Sequence, residues 1–280
     1  MRKQIIAGLC VLLSAGIVSG YLHFENTALQ TTAYAVTSEK LPRAFDGYKI
    51  AQISDFHNAQ SASLNRRLRE AVRQAKPDII VLTGDLIDRR RTDVETAIRL
   101  VHDLREVAPI YFVSGNHDIL YATYDTLSQQ LRAEGVRMLE NEKTVLHSGT
   151  DTLCLAGIDD PTKAREGIDN AMILQTELEH LSLDAQQFTV LLSHRPEALD
   201  VYASQGVDLV FAGHAHGGQI RLPFIGGLFA PNQGVLPQYT AGVYLKDRTQ
   251  MVVSRGIGNS AFPFRVQNRP ELVVATLGKE

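Results

Sequence analysis

The chain has 280 residues, 44% of them hydrophobic, which is enough for one large domain or two small ones. A net charge of -3 excludes the strongly basic surface of a nucleic-acid binder. The only cysteines are Cys10, in an apolar stretch, and Cys154; a disulfide between them is not expected, they make no zinc-cluster spacing, and any metal must be held by His, Asp and Asn.

Arg2 and Lys3 precede an uncharged apolar run from Ile5 to Leu22, whose 18 residues just reach bilayer-spanning length. Residues 1–22 are read as an uncleaved signal-anchor in the cell membrane, with the N-terminus in the cytoplasm and the remaining chain extracytoplasmic. The alternative is a signal peptide and a secreted protein, cut after Val18-Ser19-Gly20 or after Ala33-Tyr34-Ala35. Residues 23–46 read as a polar connector without helical or strand period, and 47–280 as the folded domain.

From Tyr48 the pattern alternates. "YKIAQIS" is a buried strand and "SLNRRLREAVRQA" an amphipathic helix. "DIIVLTGD" is a second strand, "DVETAIRLVHDL" a second helix, "PIYFVSGN" a third strand, and Tyr124 to Glu134 a third helix. This βαβαβ order implies a largely parallel sheet. "KTVLHS", "DTLCLAGI", "FTVLLSH", "GVDLVFAGH", "MVVSRG" and "ELVVATL" follow with fewer helices between them, which predicts a second sheet facing the first. The stretch "LPFIGGLFAPNQGVLP", Leu222 to Pro237, is apolar but broken by Gly and Pro. It predicts an irregular loop with an apolar surface.

Polar residues collect where the strands end: Asp55 and His57; Asp85 and Asp88; Asn116, His117 and Asp118; His194; and His214 with His216. Taken singly, each is a turn or cap residue. Ligands of α/β sheets bind outside the carboxyl ends of the strands, so five such segments together predict one shared centre. Carboxylate, imidazole and amide oxygen suit zinc, manganese or iron. Two ions about 3.5–4 Å apart need a bridging carboxylate. Asp85, after Gly84 at the end of a central strand, is the natural bridge.

D-x-H, G-D-x-x-D, G-N-H-D, a lone His after an apolar strand and G-H-x-H, in this order from about Tyr48 to Leu277, resemble the calcineurin-like metallophosphoesterase superfamily. The apolar start, "GHAHGGQIRLP" and "GNSAFPFRVQNRPE" are similar to its bacterial membrane-anchored subgroup of the phosphodiesterase YaeI type. The resemblance implies a four-layer αββα sandwich of two mixed sheets and two divalent ions, Mn2+, Zn2+ or Fe. It puts Asp55, His57, Asp85 and His216 on one ion, and Asp85, Asn116, His194 and His214 on the other. His117 then faces the substrate, stabilising phosphoryl charge and protonating the leaving oxygen, with Asp118 orienting its ring. Arg265 is a candidate for steering an anionic substrate. The implied reaction is hydrolysis of a phosphodiester or pyrophosphate bond in a small-molecule or lipid phosphoester, such as a UDP-2,3-diacylglucosamine-like molecule. One rival reading is a monoesterase of the protein Ser/Thr phosphatase type; those enzymes carry Gly and Glu where this chain has Arg90 and Asp118. The other is a non-enzymatic metal-binding domain held at the membrane.

Overall fold

The computed structural model describes residues 2–119, 123–163, 169–260 and 262–280. The helices are α1 (Arg2–Thr27), α2 (Ala62–Ala75), α3 (Val94–Leu104), α4 (Asn116–Ile119), α5 (Tyr124–Ala133), α6 (Asn170–Leu181) and α7 (Leu199–Ser204). The principal strands are β1 (Gln30–Ser38), β2 (Lys49–Ile53), β3 (Ile79–Thr83), β4 (Ile110–Val113), β5 (Arg137–Met138), β6 (Glu142–Ser148), β7 (Asp151–Gly157), β8 (Thr189–Leu192), β9 (Leu209–Ala212), β10 (Gly242–Lys246), β11 (Thr249–Val253) and β12 (Glu271–Lys279).

One sheet has the order β1-β12-β2-β3-β4-β5 and the other β10-β11-β9-β8-β7-β6. Both are mixed: β2, β3 and β4 run parallel, as do β7, β8 and β9, while β12 pairs antiparallel with β2 and β6 with β7. Successive strand residues point to opposite faces, and the apolar sets divide accordingly. Ile50, Val81, Leu155, Val190 and Phe211 fill the space between the sheets. Ala51, Ile80, Leu82 and Phe112 face outward against Leu64, Leu68 and Leu100 of α2 and α3. Cys154, Leu191 and Val210 meet Leu174 and Leu178 of α6 and Tyr202 of α7 on the far side. The result is the expected four-layer αββα sandwich. Strands buried on both faces need the near-continuous apolar runs seen in "DIIVLTGD".

The helices begin where their caps dictate. Ser61 Oγ accepts from Leu64 N–H at 3.3 Å and Asp93 Oδ1 from Thr96 N–H at 3.0 Å. These starts fix the lengths of the loops that leave β2 and β3.

Two sequence readings are corrected here. The stretch read as a connector contains β1, which pairs parallel with β12 from Gln30↔Glu271 to Ser38↔Lys279. Its burial alternates with period two: Thr32, Tyr34 and Val36 face inward and Thr31, Ala33 and Ala35 outward. Polar Thr on the outer face of an edge strand hides that alternation. The Leu222–Pro237 loop is not wholly irregular; it holds two short antiparallel ladders, Arg221–Leu222 with Gly226–Gly227 and Phe229–Ala230 with Gly234–Val235. Gly226 and Gly234, both at positive φ, close the turns.

Candidate metal centre

The carboxyl ends of β2, β3 and β4 from one sheet and β8 and β9 from the other meet at one edge of the sandwich. Gln52 Nε2 ties the sheets there, donating to Thr83 Oγ1 and to Ala212 O, each at 2.9 Å. Just past their strands, Asp55, His57, Asp85, His214 and His216 have φ between 45° and 65°. That conformation costs a residue with a Cβ about 1–2 kcal/mol, so the fold holds strain at this edge. Gly84, at φ 85°, has no room for a side chain, since a Cβ would stand 2.5 Å from His194 Nδ1. At Gly213 a Cβ would collide with Ser54 Oγ.

The side chains form two interlocked buried groups, Asp55, His57, Asp85 and His216, and Asp85, His194 and His214. His57 Nε2 lies 3.1 Å from His216 Nε2, and His214 Nδ1 lies 3.2 Å from His194 Nε2. Asp55 Oδ1 is 3.2 Å from His216 Nε2. Asp85 Oδ2 sits 3.5 Å from His57 Nε2 and 3.3 Å from His194 Nε2, so one oxygen faces both groups. Asp85 Oδ1 accepts from His117 N–H at 2.7 Å. Donors around a tetrahedral ion at about 2.1 Å stand about 3.4 Å apart, which is the spacing seen here. Asn116 Oδ1 is buried at the same edge without a hydrogen-bond partner. An orphaned acceptor beside converging ring nitrogens has the chemistry of a cation ligand. The cluster is a buried His/Asp site suited to two metal ions.

The surroundings orient these groups. His194 Nδ1 donates to Thr83 O at 2.8 Å, which turns Nε2 toward Asp85. His57 Nδ1 lies 3.5 Å from Asp88 Oδ2. Burial alone would raise Asp85, but neighbouring His194 and His57 hold its carboxyl well below the usual range. Burial also opposes charge on His194, yet the Asp85 carboxylate beside it pushes the ring up to about 10. His214 and His216 are held neutral, first by burial and then by the cations Arg195 and His57 respectively.

His117 borders the cavity. Its Nδ1 accepts from Arg89 N–H at 3.3 Å, so Nε2 carries the hydrogen, 3.3 Å from Ser260 Oγ. Burial lowers its pKa to about 4. Asp118 does not touch that ring. Its Oδ1 accepts from Ile87 N–H at 3.1 Å and its Oδ2 from Gly115 N–H at 2.9 Å. Successive residues on the short α4 turn point different ways, so Asp118 braces two loops instead of orienting its neighbour. Burial and the nearby Asp85 push its carboxyl up to about 7.

Arg265 also departs from the sequence reading. It is buried, and its guanidinium donates to Gly258 O at 2.5 Å, Arg255 O at 2.9 Å, Asn268 O at 3.1 Å and Asn259 Oδ1 at 2.9 Å. Those contacts occupy it as an internal brace, and it does not line the cavity. Among the arginines that do is Arg195, directly after His194. Asp160 grips it at 2.5 and 2.8 Å, and its NH1 donates to Asn232 Oδ1 at 2.8 Å. Asp88, three residues after Asp85, is the carboxylate between His57 and His117, 3.8 Å from the latter's Nδ1. The G-D-x-x-D spacing was the signal for Asp88; the signal for Arg195 was only its place beside His194.

The groups open into a cavity of about 610 Å³. Asp85, Asn116, His117, His214 and His216 form its polar floor, and Arg89, Arg90 and Arg195 stand around it. Ile220, Leu228, Phe229, Pro231 and Phe262 form an apolar wall.

Comparison with known proteins agrees with this geometry. The pattern of the calcineurin-like phosphoesterase family matches residues 48–218. The chain is 32% identical over 289 residues to the uncharacterized metallophosphoesterase YkuE of Bacillus subtilis, covering 99% of this chain and 97% of that one. It is 27% identical to phosphodiesterase YaeI of Escherichia coli over 82% of each. Among solved structures, TT1561 of Thermus thermophilus superposes with a TM-score of 0.53 at 13% identity, over 75% of this chain and 90% of that one, a likeness of fold alone. With the family pattern spanning most of the chain and landing on the strands that build the metal edge, the protein belongs to the calcineurin-like phosphoesterase family.

Proposed function

We propose that the protein hydrolyses a phosphodiester or pyrophosphate bond in an amphiphilic phosphoester, using two divalent ions. The observation that carries this reading is the pair of buried His/Asp groups sharing Asp85, set in the floor of a cavity with one apolar wall. Asp55, His57, Asp85 and His216 would hold one ion, and Asp85, Asn116, His194 and His214 the other. When bound, such ions supply Lewis acidity that lowers the pKa of water and offsets phosphoryl charge.

The chain's own residues do the rest. Asp85 Oδ1, fixed by His117 N–H, keeps Oδ2 between the two groups. His117, neutral because it is buried, points Nε2–H into the cavity, where it donates a hydrogen bond to a phosphoryl oxygen as negative charge builds there. Protonating the leaving oxygen would need the imidazolium, which burial disfavours, so the role as hydrogen-bond donor is favoured over the role as acid. Arg195 presents positive charge to the substrate while Asp160 holds its fork rigid.

The amphiphilic part of the reading rests on the apolar wall and on exposed Phe224, Ile225 and Phe229 beside it. The apolar, exposed α1 supports a membrane-held domain with its N-terminus inside. Cleavage after Ala35 would cut through β1, which favours the retained anchor. The test is a screen of the full-length protein in detergent with Mn2+, comparing a chromogenic diester, its monoester and nucleotide-linked lipids. Diester or pyrophosphate turnover above monoester turnover is expected. Monoester preference would move the reading to a monoesterase, and no turnover with metal bound would make it a metal-binding domain.

A further inference from the structure

A membrane tether needs only apolar residues and a flexible exit. The last turns of α1 are different. Residues from Lys3 to Phe24 are largely uncovered, but Glu25 and Ala28 are buried against the domain. Glu25 Oε2 accepts from Asn268 N–H at 2.9 Å. Tyr21, one helical turn earlier on the same face, accepts at its hydroxyl from Gln267 N–H at 3.3 Å. Asn26 Oδ1 accepts from Asn259 Nδ2 at 2.5 Å.

These contacts lead to the metal edge. Asn268 is buried, and its Nδ2 donates to His216 O at 2.8 Å and to Gln219 O at 2.9 Å. That turn is strained: His214, His216 and Gln219 have φ between 46° and 65°, with Gly217 and Gly218 also at positive φ. A strained turn persists only where its surroundings over-determine it. Asn268 supplies two of those constraints, and Glu25 fixes Asn268. On the other branch, Asn259 joins Asn26 to Arg265, and its neighbour Ser260 touches His117.

We propose that the end of the membrane helix is part of the metal-holding apparatus: Glu25 is a positioning residue that acts through Asn268 on the backbone of the turn bearing His216. The same joint sets the direction of the cavity relative to the bilayer. Asn259, bonded to the helix end, also donates to Pro263 O at 2.9 Å; Phe262 lines the cavity, and Pro263 and Phe264 line a groove shared with Val18 and Leu22 of α1. The proposal rests on the metal-site reading and not on the identity of the substrate.

The test uses the full-length protein in nanodiscs, titrated with Mn2+ alone, with thermal midpoints recorded in parallel. Glu25→Ala is expected to weaken one of the two Mn2+ ions by about tenfold, the scale of a lost outer-shell contact. Glu25→Gln keeps an oxygen that accepts from Asn268 N–H and is expected to restore the affinity. Tyr21→Phe removes a single hydroxyl from the same joint and should give a smaller loss at the same ion. Wild-type Mn2+ affinity in Glu25→Ala, whatever its melting temperature, overturns the proposal. So does an equal loss in Glu25→Ala and Glu25→Gln, which would make charge the cause. If Glu25→Ala does not fold, unchanged affinity in Tyr21→Phe overturns it. A wild-type protein that binds no Mn2+ would instead defeat the metal-site reading itself.

Discussion

His57 Nε2 and His216 Nε2 face each other at 3.1 Å across 159 residues of chain, with Asp55 and Asp85 oxygens beside them. Two buried imidazoles gain little from such an approach, because at most one hydrogen lies between the nitrogens. A cation between them uses both lone pairs.

His117→Ala is expected to keep both ions and to lose about 10²–10³-fold in kcat, the usual effect of removing one donor to a developing oxyanion. His117→Gln, which retains an N–H donor, should recover part of that rate. Metal content and kcat measured on the same preparations check this. Loss of an ion in either variant would make His117 a ligand.

Arg265→Ala should destabilise the fold by about 3 kcal/mol, because three backbone carbonyls lose a buried donor. Folded Arg265→Ala at low temperature should keep the wild-type KM. A raised KM with an unchanged melting temperature would return Arg265 to the substrate.

The residues of the buried cluster are readable in the sequence because each follows an apolar strand, several of them beside Gly or Asn. That pattern reports chain placement. It does not report side-chain direction, and there the reading failed. Asp118 lies beside His117 in sequence but turns its carboxylate to Ile87 and Gly115. Arg265 lies in a turn-rich polar stretch yet is buried by carbonyls that only the tertiary fold brings together. β1 was hidden because its outward residues are Thr and Ala, so its period-two signal carries little hydropathy contrast.

Metal uptake should depend on pH through His194. Its folded pKa, about 10, lies above its ordinary 6.5 because Asp85 outweighs the cost of burial. The protonated ring therefore stabilises the metal-free fold fully below about pH 6.5, and that stability is lost as pH rises through about 10. A cation at Nε2 must displace the same proton. Mn2+ affinity is thus expected to rise between pH 6.5 and 10 while the melting temperature of the metal-free protein falls. Calorimetry in buffers of differing ionisation enthalpy at pH 7 should detect proton release on binding; none would remove His194 from the ligand set.

Phe224→Ser with Phe229→Ser, in full-length protein in nanodiscs, should lower turnover of a lipid phosphodiester and spare a small water-soluble diester. Both side chains are exposed, and Phe229 lines the cavity. Equal losses on both substrates would indicate a folding defect, and no loss on either would end the amphiphile reading.

Asp85 Oδ2 faces both buried groups and would be shared by the two ions. Electron paramagnetic resonance of the Mn2+-loaded protein, with metal counted on the same sample, tests that sharing most directly. The expected result is two ions per chain with the spectrum of an exchange-coupled pair about 3.5–4 Å apart, and loss of that coupling in Asp85→Asn. A single uncoupled ion in the wild type, or a coupled pair that survives Asp85→Asn, would contradict it.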